Sequence, residues 1–405
     1  MSPRPKIFIN AISSITGAAG KTRLDGWLVD GKSAPVAAVD APLPEIPAAW
    51  ERHDSRNNRL LLAALAPIRA AVDAAIARHG PARVAVILGT STSGIEEGEI
   101  AEAAKRATGA APAHYHYLQQ EFGATAGFLA EWLGVTGPCY TISTACSSSA
   151  RALISGARLL RAGAVDAVIA GGADSLCRMT LNGFHALEAF SLTGCRPFAQ
   201  NRDGITIGEG AALALLTRDE APVALLGGGD SSDAYHMSAP RPDGAGAEQA
   251  MRAALADAAL APEDIGYINL HGTGTALNDS MESAAVNRVF GAATPCSSTK
   301  HLTGHTLGAC GAVEAALCHA LLTAGDATAG DGTYVWNSTG AAGSANDWRE
   351  SALPAQVFTD AAPRDDTLAP IGLVTAPATL LRKPAILSNS FAFGGNNACL
   401  VLGRA

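Results

Sequence analysis

Seven apolar runs, KIFINAI, RVAVILG, DAVIAGG, ALALLT, VALLGGG, IGYINL and PAILSNS, recur along the 405-residue chain with helix-length stretches between them. Runs without polar alternation are buried on both faces, which requires helices on both sides of a sheet. The intervening RLLLAALAPIRAAVDAAIARHG and AEQAMRAALADAAL supply such helices, with apolar residues at helical spacing. This alternation predicts an α/β fold of layered sheets. A hydrophobic content of 48%, a charged content of 16% and 43 glycines suit closely packed layers and argue against disorder. TRDEAP at 217–222 is the best polar break near the middle and divides the chain into halves 1–218 and 219–405. The stretch 326–380, rich in Gly, Asp and Pro with weak periodicity, reads as surface loop anchored by Trp336 and Trp348.

A formal net charge of −8 argues against general nucleic-acid binding, yet leaves room for a local basic patch. Asn10, Ser13 and Ser14 interrupt the N-terminal apolar run too early for a secretory signal, and no apolar stretch of ~18 residues follows. A cytoplasmic protein without membrane insertion is expected. The eight cysteines (139, 146, 177, 195, 296, 310, 318, 399) show no CxxC spacing, so neither a zinc knuckle nor a disulfide framework is expected. GAAGKT at 17–22 fails as a phosphate loop, because Ile15 stands where the first glycine is needed. Asn337-Ser338-Thr339 fits a glycosylation sequon only by chance in a chain with no secretory route.

The run TISTACSSSARAL sets Cys146 between CYTIS, which reads as a buried strand, and SSSARALISGARLLRAG, which has helical spacing and opens on hydroxyls suited to capping. A thiol there faces a helix N-terminus, whose N–H groups favour thiolate and can hold an oxyanion. A lone cysteine in a small-residue turn is equally compatible with inert packing. Two later motifs change the weighting: HGTGTALND, opening at His271 after IGYINL, and STKHLTGHTLGACGAVEA, holding Lys300 and His305 before an apolar helix.

Together with PFAQNRDGITIGEGA at 197–211, DAYHMSAPRPDG at 233–244 and SNSFAFGGNNACLVL at 388–402, these motifs resemble, in order, the β-ketoacyl-[acyl-carrier-protein] synthases of the thiolase superfamily. The resemblance implies a thiolase-like fold: two similar halves in a layered αβαβα sandwich, although no internal sequence repeat is visible. It implies that Cys146 accepts an acyl chain from a carrier thioester and that a decarboxylated malonyl-carrier then attacks it. His271 and His305 would both address the malonyl thioester, and one would also help set the state of Cys146. Lys300 and Glu314 would hold the site in shape, with Asp279, which closes HGTGTALND, as further support.

Thr273 and Thr275 match the hydroxyls that bind the phosphopantetheine arm of the carrier protein. Phe393 matches the acyl-pocket gate, and its N–H would join that of Cys146 in an oxyanion hole. Asn269, Glu314, Ser388 and Asn389 match positions that hold a monovalent cation in some relatives, with hydrogen-bonded packing as the alternative. No other cofactor is implied. Ala199 departs from the family, which carries an acidic residue after Pro-Phe, whereas Asp203 and Glu209 are retained. LPEIPAAWERHDSRNNRLLLAAL is similar to pathway-specific bacterial ketosynthases, including those of aryl polyene clusters. The partners implied are acyl- and malonyl-carrier proteins and a second subunit, as homodimer or heterodimer. Two other readings remain: a coenzyme A thiolase using Cys399 as acid/base, or one subunit of a ketosynthase–chain-length-factor pair.

Overall fold

The computed structural model describes residues 5–19, 28–29, 31–324, 327–330, 333–338 and 348–405. Its sheet is built from β1 (Ile7–Gly17), β2 (Val84–Gly89), β3 (Cys139–Ile142), β4 (Ala167–Asp174) and β5 (Gly210–Thr217), then β6 (Val223–Ser232), β7 (Tyr267–Asn269), β8 (Pro295–Ser297), β9 (Ala385–Ala392) and β10 (Asn396–Arg404). The first five lie in the order β3-β2-β4-β5-β1 and the second five in the order β8-β7-β9-β10-β6. In both sets the first three strands run parallel and the last two pairings are antiparallel. The same topology therefore occurs twice, a duplication invisible in the sequence. The two sets join where β1 meets β6, at Ile7↔Leu225 and Phe8↔Ala224.

Among the helices that build the layers and the site are α1 (Arg56–Leu65), α2 (Arg69–His79), α3 (Ser148–Arg161), α4 (Arg178–Ala186), α5 (Ala245–Ala258), α6 (Ala276–Phe290) and α7 (Cys310–Thr323). Ser55 Oγ accepts the Asn58 N–H at 3.2 Å and starts α1. Pro67 lies in the short 3-10 turn that separates α1 from α2. By length and composition Arg56–His79 is apolar enough to cross a membrane. Here Leu60, Leu61, Leu65, Ile68 and Val72 instead fill a core against β2, β4 and β5.

Alternation along the strands sets the layers. On β10, Ala398, Leu400 and Leu402 face the central core with α3 and α7, whereas Cys399 and Val401 face the outer core with α5 and α6. The two halves of the sheet thus enclose α3 and α7, and each carries an outer helical layer, as the thiolase-like reading requires.

Two expectations need correction. CYTIS is not a buried strand: β3 ends the sheet, with Cys139 and Tyr140 exposed. Nor is the start of 326–380 a loop, because Ala327–Gly330 and Thr333–Ser338 form a hairpin whose second strand pairs with β1 from Ile12↔Ser338 to Gly17↔Thr333. β6 pairs only with Ile7 and Phe8, which leaves the rest of that β1 edge open to another strand. Trp348 packs partly buried against the central core with the Arg349 guanidinium 4.7 Å from its ring centre, as an anchor should. The Trp336 side chain, Thr339 of the sequon and residues 20–22 of GAAGKT lie outside the described residues.

Gly89 at the end of β2 touches the first turn of α3, and a Cβ there would lie 2.3 Å from Ser149 N and 2.4 Å from Ser148 C. Both are backbone atoms and cannot rotate away. Gly89→Ala is expected to lower stability by about 3 kcal/mol, read as a lower urea midpoint at unchanged m-value.

Candidate active site

Cys146 lies between β3 and α3, and Ala145 before it takes a left-handed φ of 51°. Such a conformation costs a non-glycine residue on the order of 1–3 kcal/mol, so the neighbours must enforce it. Ser147 Oγ donates to Thr144 O at 2.9 Å, while Ser148 Oγ donates to Ala145 O at 2.6 Å and accepts the Thr144 N–H at 2.9 Å. The hydroxyls therefore stiffen the turn and do not cap α3, whose N-cap Ser147 makes no side-chain cap bond.

The Cys146 thiol is pushed up to about 11, first by burial and against the opposing pull of the Lys300 charge and the Phe393 N–H. The expected bias toward thiolate is thus overturned for the resting protein. The sulfur is a buried thiol surrounded by donors for the charge it develops on reaction.

His305 is pinned through its backbone, its N–H donating to Thr206 O at 2.7 Å and its carbonyl accepting the Gly208 N–H at 2.9 Å. Its ring Nδ1 accepts the Leu307 N–H at 3.2 Å, which leaves the ring proton on Nε2. Nε2 lies 3.1 Å from Cys146 Sγ, so this proton points at the sulfur. His271 follows β7 and meets His305 edge to face, ring centres 5.3 Å apart at 84°. One ligand atom from each of Cys146, His271 and His305 lies within 4.8 Å of the others, all buried. Burial and then the Lys300 charge hold both imidazoles well below the usual histidine range, and both are neutral.

Lys300 and Glu314 form the expected buried pair, Nζ to Oε1 at 2.6 Å. Burial alone would lower the Lys300 ammonium, but its neighbours Cys310 and Glu314 reverse the sign and raise it. Because burial keeps Cys310 a neutral thiol, Glu314 is the effective partner. Asp279, at the start of α6, accepts the N–H groups of Phe198, Thr273 and Gly274 at 2.8, 3.1 and 3.2 Å. Sequence reasoning missed Glu282, one turn later. It accepts the His271 and Gly272 N–H groups at 2.7 and 2.6 Å and so fixes the backbone that carries His271. Two carboxylates three residues apart on one helix face, with no base beside them in sequence, were the available signal.

Asn269 and Ser388 are register neighbours on parallel β7 and β9. Both polar atoms of the Asn269 side chain, Ser388 Oγ and Glu314 Oε2 are buried without a hydrogen-bond partner. Glu314 lies beside Asn269, and the Cys318 thiol beside Ser388, short of bonding geometry. These oxygens fit a hard monovalent cation. The Asn389 side chain does not belong to the set: its amide donates to Glu282 at 3.1 Å and its carbonyl oxygen accepts the Cys399 thiol at 3.2 Å.

The cleft above the sulfur holds roughly 210 Å³ and is lined by Cys146, His271, His305, Thr273, Thr275 and Phe393, among others. Thr273 and Thr275 set their hydroxyls 3.0 Å apart on its wall. The N–H groups of Phe393 and of Cys146 itself lie beside the sulfur, which brings together the two donors that the resemblance implies for an oxyanion hole. Gly394 makes this possible with a φ of 79°. The Phe393 ring leans on Phe184 of α4 at 5.2 Å.

Where the family places an acid after Pro-Phe, the buried Ala199 leaves Arg202 to Asp365, 2.6 Å away, and to Asp279 at 3.8 Å. Part of the 326–380 stretch thus supplies a charge to the site's support. The retained acids are also bound: Asp203 accepts Ser191 Oγ at 2.6 Å, and Glu209 accepts the Val39 N–H at 2.9 Å and the Arg56 guanidinium.

Because His305 stays neutral when folded but titrates near 6.5 when unfolded, acidification favours the unfolded chain, and this contribution is absent above that pH. Between pH 6.5 and 5.5, His305→Gln is expected to lose stability less steeply than wild type, by up to about 1.4 kcal/mol per pH unit. Urea unfolding across that window measures the difference, and equal slopes would mean that His305 is protonated in the fold.

Residues 25–221 match the family described as beta-ketoacyl synthase, N-terminal domain, and residues 224–329 match beta-ketoacyl synthase, C-terminal domain. The chain is 40% identical over 207 residues to Nodulation protein E of Rhizobium leguminosarum bv. trifolii, covering 48% of this chain and 51% of that one. It is 38% identical over 200 residues to 3-oxoacyl-[acyl-carrier-protein] synthase 2 of Staphylococcus aureus, covering 45% and 50%. These alignments span about half the length of the curated relatives. Among solved structures, a chain of the ketosynthase (ApeO)–chain length factor (ApeC) complex from Xenorhabdus doucetiae superposes with a TM-score of 0.88 at 49% identity, covering 100% of both chains. A structural relative matched from end to end, and two adjoining domain matches that run in chain order, place this chain in the β-ketoacyl synthase family.

Proposed function

We propose that this protein is a decarboxylating 3-oxoacyl-[acyl-carrier-protein] synthase. The observation that carries the reading is the His305 Nε2–H aimed at Cys146 Sγ, 3.1 Å away in a cleft that also presents the Phe393 N–H to the sulfur. In the first half-reaction Cys146 Sγ attacks the acyl thioester on a carrier protein. Its proton passes to the departing carrier thiol, and the N–H groups of Cys146 and Phe393 hold the oxyanion.

In the second, a malonyl thioester loses carbon dioxide and its carbanion attacks the Cys146 thioester. The 3-oxoacyl chain stays on the carrier, and the released Sγ thiolate takes up one proton from solvent. Neutral His271 and His305 suit the charge this step builds on the malonyl carbonyl oxygen, since each can donate a hydrogen bond without a competing positive charge. Thr273 and Thr275 take the amides of the phosphopantetheine arm. Lys300, Glu314, Asp279 and Glu282 hold the two histidine-bearing segments. A monovalent cation held by Asn269, Glu314 and Ser388 would neutralise buried oxygens behind the site.

For partners we propose acyl- and malonyl-carrier proteins and a second ketosynthase-like subunit. The exposed edge of β3 supports the second subunit, as does the relative solved with its chain length factor. Eight free cysteines, seven of them buried, support a reducing cytoplasmic location. The thiolase reading is disfavoured because Cys399 faces the outer core, on the opposite side of β10 from α3.

Intact-protein mass spectrometry after incubation with a panel of acyl-carrier proteins is expected to show one acyl adduct on wild type and none on Cys146→Ala. Added malonyl-carrier should discharge the adduct as 3-oxoacyl-carrier. An adduct of equal yield on Cys146→Ala would defeat the reading.

A further inference from the structure

Asp174 ends β4, fully buried, and its carboxylate is held by neutral donors. Oδ1 accepts Thr90 Oγ1 and the Thr92 N–H at 2.7 Å, and the Ser91 N–H and Thr92 Oγ1 at 2.8 Å. Oδ2 takes a second contact from the Ser91 N–H at 3.0 Å and, across the sandwich, the Ala309 N–H at 3.2 Å. One oxygen therefore organises the turn after β2, and the other reaches the turn that follows His305.

That turn has no slack. Leu307 takes a φ of 47°, and its N–H donates to His305 Nδ1 at 3.2 Å. A Cβ on Gly308 would lie 2.7 Å from Asp174 Oδ2 and 2.7 Å from Ser91 N. We propose that Asp174 is a positioning residue: through Ala309 it fixes the Leu307–Ala309 turn and thereby aims His305 Nε2 at Cys146 Sγ. The inference rests on the condensing reading above for its kinetic consequence, and on geometry alone for its effect on the thiol.

Two variants separate positioning from packing. In Asp174→Asn the amide oxygen stays where four donors converge, and its NH2 meets the Ala309 N–H donor to donor, releasing the His305 turn. Gly308→Ala displaces the same turn while leaving the carboxylate and its charge intact. The readouts are melting temperature, the rate of 3-oxoacyl product formation, and the pH profile of Cys146 alkylation by iodoacetamide. Peptide-resolved mass spectrometry distinguishes Cys146 from the exposed Cys139.

For Gly308→Ala the alkylation midpoint is expected to rise by about one pH unit, because the thiolate loses the His305 N–H donor. Product formation should fall on the order of 10- to 100-fold, with melting lowered by the overpacking but still cooperative. Asp174→Asn should lose product formation similarly but shift the midpoint less, since removing a negative charge near the sulfur acts in the opposite direction. A folded Gly308→Ala with the wild-type alkylation profile, or a folded Asp174→Asn with the wild-type rate, overturns the proposal. If one variant does not fold, the other decides. A wild type that forms no 3-oxoacyl product from malonyl donors refutes the functional reading instead, and the alkylation profile, which needs no substrate, still tests the positioning.

Discussion

The crossing of α3 over α7 is the contact on which the site depends. Gly311 sits so close to Ala150 that a Cβ would fall 2.7 Å from the Ala150 side chain, and Ser149 Oγ accepts the Ala312 N–H at 3.0 Å. Small residues let two helix N-termini meet at backbone distance between the two halves of the sheet. Cys146 precedes one helix and His305 the other, so each half of the chain contributes one member of the Cys146–His305 contact. A larger residue at either crossing position would separate the Cys146 sulfur from the His305 ring without touching either.

Burial governs the electrostatics. It raises the thiol, lowers both imidazoles and leaves Lys300 charged only because Glu314 lies against it. The single strong positive charge helps keep the histidines neutral, so the pair does not simply hold elements together. Asp279 and Glu282 are raised by burial to about 6 and about 7, yet each is held by backbone N–H groups of the His271 segment. The fold accepts these costs where rigidity of a catalytic loop is gained.

Much of this was legible in the sequence. Buried strands such as RVAVILG and DAVIAGG gave themselves away by unbroken apolar runs, and the motifs around Cys146, His271 and His305 marked the segments that converge. CYTIS misled because β-branched and apolar residues also suit a strand at the end of a sheet, where one edge is unpaired among the described residues. The repeat of topology was hidden because strand order is fixed by pairing between distant segments, and different apolar residues fill equivalent places equally well. Glu282 and Asp174 went unnoticed because both bind backbone N–H groups, and no residue type in the partner segment advertises such a bond. Asn389 looked like an ion ligand by position, but its side-chain direction is set by Glu282 and Cys399 on neighbouring elements.

The open edge of β3 ends only a few residues before Cys146, with the strained Ala145 turn between them. A chain that adds itself to this edge would grip the strand leading into the nucleophile, and its departure would loosen the same backbone. In the proposed assembly, competence and association would then be one equilibrium, and dilution alone would act as an inhibitor.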